Sequence, residues 1–165
     1  MKWAGRLLVV LASVGVEVPY ARASTDVEGC LQAAATQSEM SRCAGVAYAD
    51  ARRELDRVLE KIRTLYAGNA EFIAALGVSQ DAWQRSVDAD LEMRYPGPDK
   101  QFQYGSVYGM CAGLDKVSMT LARIEFLKKW LSGTEEGDVC GGSIMNGYCL
   151  AHDCSSPGKP RRSDN

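Results

Sequence analysis

Residues 36–66 read TQSEMSRCAGVAYADARRELDRVLEKIRTLY. Thr36 and Glu39 stand three apart, the spacing of a capping box, in which each side chain answers the other's backbone N–H at a helix start. Tyr48, Ala51, Leu55, Val58, Leu59, Ile62, Leu65 and Tyr66 then recur at three and four residues, which places them on one helical face. Gly68 offers a stop. A helix with one apolar stripe needs partners of the same kind to bury it.

The residues that follow supply them. Asn69 can cap a second helix with Phe72, Leu76, Trp83, Val87 and Leu91 on one side, weakened locally by Gly77 and ending before Pro96. After a Pro96–Gly105 loop, Ser106 can cap a third, with Val107, Met110, Leu114, Val117, Leu121, Ile124, Leu127 and Leu131 as its apolar positions and Gly133 as its end. No stretch between Thr36 and Leu131 alternates as a strand does. The expected fold is all-α: a small antiparallel bundle of about three helices spanning residues 24–133, each burying its stripe against the other two. From Thr134 the composition turns to Gly, Ser, Cys and Pro, so residues 134–165 read as an irregular segment tied down by cysteines.

The amino terminus has the form of a signal peptide. Lys2 and Arg6 precede the apolar run Leu7–Val16, too short to span a bilayer, and Ala21-Arg22-Ala23 has the small residues a signal peptidase accepts. Cleavage is expected after Ala23, giving a periplasmic or secreted protein with no stable membrane insertion. All six cysteines, Cys30, Cys43, Cys111, Cys140, Cys149 and Cys154, lie beyond that point, and an even count in a short exported chain reads as a disulfide framework of open connectivity. Removing residues 1–23 takes away three basic residues and one acidic one, moving the net charge from −2 to −4. That balance argues against a nucleic-acid partner and favours a basic one.

Several separated motifs agree in order with a known family. Cys30, the run Thr36-Gln37-Ser38-Glu39-Met40-Ser41-Arg42-Cys43-Ala44, Tyr48-Ala49-Asp50, Leu55, Ser79-Gln80-Asp81-Ala82-Trp83, Asp88-Ala89, Gly105-Ser106, Cys111 and Arg123 resemble the LprI-type lysozyme inhibitor family over about residues 27–131. The resemblance implies an exported helical domain that inhibits lysozyme, and a first disulfide between Cys30 and Cys43. Where that family has a further cysteine near Asp88-Ala89, this chain has Leu91, so Cys111 is expected to find another partner, with Cys140 the candidate. Trp83 is expected in the core, and Arg123 as a structural charge paired with Asp88 or Asp50.

The chain's sole histidine lies in Cys149-Leu150-Ala151-His152-Asp153-Cys154. A disulfide between Cys149 and Cys154 would close a tight loop and present its side chains with little entropy left to lose. The hexapeptide resembles the Cys-Lys-Pro-His-Asp-Cys loop of Ivy-type inhibitors of vertebrate lysozyme, with Leu150 and Ala151 in place of Lys and Pro. A retaining lysozyme holds two carboxyl groups about 5 Å apart, one protonated and one ionised. The two ring nitrogens of His152 could meet both, with Asp153 orienting the ring. Lys100 and Tyr104, in the loop between the second and third helices, form a second candidate contact. The expected function is therefore inhibition of lysozyme, c-type or a related muramidase, by a plug at residues 149–154, with no catalysis and no cofactor. Two alternatives remain: an immunity protein against a peptidoglycan-cleaving toxin, and a zinc site from Cys140, Cys149, His152 and Cys154.

Overall fold

The computed structural model describes residues 27–152. The expected cleavage site, Asp153 and Cys154 lie outside them. Residues 27–33 are helical (α1) and lead to α2, Gln37–Leu65. The capping box forms as the sequence predicts: Thr36 Oγ1 accepts from the Glu39 N–H, and Glu39 accepts from the Thr36 and Ala35 N–H groups. Those amides hold the Glu39 carboxyl below its ordinary value. The Cys30–Cys43 disulfide, with Cα atoms 5.8 Å apart, fastens α1 to α2, in agreement with the pairing the family resemblance implied.

Helix α3 spans Ala70–Arg94, with the Asn69 side chain accepting from the Phe72 N–H. The segment read as a plain loop contains a short helix, α4, Lys100–Tyr104, because Asp99 Oδ1 accepts from the Phe102 N–H and starts a turn. Ser106 does not cap the next helix: α5 runs Tyr108–Ser132, with Val107 at the cap position and no side-chain cap. It ends at Gly133 as expected, in a positive-φ conformation.

Helices α2 and α5 lie parallel and in close contact, and α3 runs back against them. The register follows from the pairs that meet. A Cβ on Gly113 would lie 2.9 Å from that of Ala44, so the helices touch where both residues are smallest. Further along, the Lys116 ammonium sits over the Tyr48 ring, and at the far end Tyr66 bonds Trp130. In the opposite sense along α3, Arg94 and Tyr95 reach Asp115, whereas Gln80 reaches Arg123. The core is Leu55, Val58, Leu59 and Ile62 of α2 with Leu76 of α3 and Ile124 and Leu127 of α5, closed by Tyr66. Burying each such aliphatic side chain contributes about 1.5–3 kcal/mol. Thr120, the buried polar residue among them, donates to the Lys116 carbonyl. Leu65, counted on the apolar face, is exposed, because the helix ends there and Tyr66 turns inward instead.

Candidate functional site

The segment after α5 is docked onto the end of the bundle by its own bonds to the core. The buried Tyr66 hydroxyl donates to the Trp130 carbonyl at 3.1 Å and accepts the Met145 N–H at 3.0 Å. Burial pushes that hydroxyl's pKa up, against the opposing pull of the Met145 amide. Trp130 Nε1 donates to Ser143 Oγ, and Thr134 exchanges backbone bonds with Met145 and Gly147. At Gly133 there is no room for a side chain, since a Cβ would lie 2.7 Å from Leu150 Cδ1 and 2.9 Å from the Met145 carbonyl oxygen. Leu150 is accordingly half-buried against the end of α5.

This anchored segment ends in α6, Gly147–His152. Asn146 Oδ1 accepts the Cys149 N–H at 2.8 Å, the bond an Asn makes at a helix start. Cys149, Leu150, Ala151 and His152 are thus helical, where the sequence predicted the apex of a tight loop. Cys149 is disulfide-bonded, and its expected pairing with Cys154 lies outside the described residues. His152 is exposed, with its ring stacked on Tyr148 at 4.2 Å and 19°. Its Nδ1 lies 2.9 Å from the Tyr148 carbonyl oxygen. A carbonyl only accepts, so Nδ1 carries the proton and Nε2 is the ring nitrogen left for a partner. Tyr148, 63% exposed, escaped the sequence reading; its i, i+4 relation to His152 would have found it had the segment been read as a helix.

The second candidate contact sits at the other end of the molecule. Tyr95, Tyr104 and Tyr108 form a ring cluster with centroids 5.2–6.3 Å apart, Tyr104 donates to the Pro96 carbonyl, and Lys100 binds Glu92 and the Tyr95 carbonyl. Tyr95, pushed up by burial and then by Asp115, donates to that carboxylate. Lys100 and Tyr104 therefore hold α4 in place, and the side chain they leave outermost is Phe102, 87% exposed. The 25 residues of α5 span about 37 Å between this tip and α6. The structure does not bring Lys100 and Tyr104 together with His152 and Leu150.

Two expectations about cysteine and charge are corrected. Cys111 and Cys140 are free thiols. Cys111 lies in the first turn of α5, while the 134–147 backbone pins Cys140 beyond the opposite end, far outside the roughly 4.4–6.8 Å Cα separation usual for a disulfide. Arg123 pairs with neither Asp88 nor Asp50. Its Nε donates to Gln80 Oε1 and its Nη2 to Ser79 Oγ, and the guanidinium lies over the Trp83 and Phe126 rings. The motif residues Gln80, Trp83 and Arg123 thus meet as one α3–α5 contact, with Trp83 half-buried against the core. For the zinc alternative, no group of three His, Cys, Asp or Glu side chains suited to a metal occurs among the described residues. No helix among them is long and apolar enough to cross a membrane.

A family model described as lysozyme inhibitor LprI matches residues 30–127, from the first cysteine to the last buried leucine of α5. No curated protein and no solved structure gives a significant match.

Proposed function

This chain belongs to the LprI family of lysozyme inhibitors, and from that premise we propose that it inhibits lysozyme outside the cytoplasm by seating α6 in the enzyme's catalytic cleft. The observation that carries the reading is the exposed His152–Tyr148 pair, stacked at 4.2 Å on a helix anchored to the core through Tyr66 and Gly133. Such a surface loses little freedom on binding, which is where rigid plugs gain affinity. With Nδ1 held by the Tyr148 carbonyl, Nε2 accepts from the protonated catalytic acid of a retaining lysozyme. Tyr148 stands beside it with a hydroxyl able to donate to the ionised carboxylate. Each carboxyl group then has its own partner, in place of one imidazole serving both. Ala151 adds exposed surface, and Leu150 braces the helix from beneath. Export by removal of residues 1–23 puts the protein where a basic c-type lysozyme meets it, and the acidic body favours that encounter.

The test is titration of the purified protein into c-type lysozyme acting on bacterial cell walls. Wild type should inhibit, and His152→Ala and Tyr148→Ala should each weaken inhibition by about tenfold to a hundredfold, or roughly 1.4–2.7 kcal/mol, with the thermal midpoint unchanged. Undiminished inhibition by both variants would remove α6 from the interface.

A further inference from the structure

Between α3 and α5 lies an open groove of about 360 Å³ in which Trp83, Met119 and Phe126 supply the apolar lining and Arg123 the charge. Phe126, 44% exposed, carries two cations: the Arg123 guanidinium 5.3 Å and the Lys129 ammonium 5.7 Å from its ring centroid. Neither cation has a carboxylate partner among the described residues. Arg123 spends Nε and Nη2 on neutral acceptors and keeps Nη1 without one there. Asp90, at the groove's other end, forms no ion pair with it. Tryptophan and arginine are enriched at binding hot spots, and a guanidinium left without a carboxylate gains most from one supplied by a partner.

The same molecule displays that complement. Just beyond α5 the turn Glu135-Glu136-Gly137-Asp138-Val139 stands out from the bundle, its three carboxylates in no ion pair among the described residues and Val139 97% exposed. It lies six to ten residues past Lys129 on the chain, yet it does not fold onto its own groove. We propose that the groove receives the Glu135–Val139 turn of a second copy of this chain, giving a two-fold dimer in which each copy offers both halves. Val139 packs beside Phe126, and the acidic side chains answer Arg123 and Lys129. The Phe126 end of the groove and the turn both lie toward the C-terminal end of α5, so a two-fold axis beside that end can satisfy both exchanges at once.

Sedimentation of the purified protein across the micromolar range tests this without any lysozyme. Wild type should associate to a dimer that weakens with salt. Glu135→Lys/Glu136→Lys/Asp138→Lys, confined to an exposed turn, and Arg123→Glu/Lys129→Glu should each weaken it by on the order of tenfold or more. Mixing the two charge-reversed proteins should restore a heterodimer. A wild type that stays monomeric, a dimer indifferent to the turn variant, or a mixture that does not pair would each overturn the proposal.

Discussion

Tyr66 joins the two parts of the molecule through one oxygen. Its hydroxyl is the bridge between the end of α5 and the docked segment, so Tyr66→Phe leaves the Trp130 carbonyl and the Met145 N–H short of a partner while the ring still fills its place. Stability should fall by about 1–3 kcal/mol in urea unfolding, and amide exchange should quicken over residues 143–152 more than in the α2–α5 core. The pH dependence follows from burial raising this group's pKa. The stabilisation from the neutral hydroxyl is complete below the unfolded value of 10.0 and is lost as pH rises through the higher folded one. Little of this was legible in the chain: Tyr66 read as an apolar position, and nothing local says that its hydroxyl meets an amide 79 residues away. Arg123 was misread for a related reason. Helical periodicity tells which face a residue occupies but not which turn of an antiparallel neighbour lies opposite, and the turn that meets Arg123 carries Ser79 and Gln80, not Asp88.

At the scale of the element, α2 shows how far local rules reach. Its start, its stripe and the neighbourhood of its end follow from residues 36–68 alone, because capping and amphipathicity are properties of contiguous sequence. Thr36→Ala should cost about 1 kcal/mol, read as a lower urea midpoint at neutral pH. Glu39, the other half of the box, has its carboxyl held low by the Ala35 and Thr36 amides. Its contribution is therefore present above the ordinary value of 4.5 and fades as pH falls through the lower folded one. Urea titrations of Glu39→Ala and wild type should converge as the buffer is made acidic. The short helices were harder to read. Both α4 and α6 are shorter than two turns and show no hydrophobic period, and each exists because an Asp99 or Asn146 side chain accepts an amide three residues on. Such a signal is present in any Asx turn, and only docking against the bundle selects the helix.

Seen whole, the molecule is a parallel pair of long helices with a third returning between their ends, and it exposes different chemistry at each pole. The α4 pole presents Phe102 on a tyrosine-braced turn, and the α6 pole presents His152 and Tyr148 on a segment pinned to the core. Sequence motifs named both poles as candidate contacts, but their separation by the length of α5 was invisible until the fold was known. A single lysozyme cleft can hold one of them. Amide hydrogen exchange of the protein with and without c-type lysozyme decides which. Occupation of the cleft by α6 predicts slowed exchange over residues 143–152 with residues 96–107 unchanged. Slowed exchange at 96–107 with α6 unaffected would instead place the α4 pole in the cleft and leave α6 outside it.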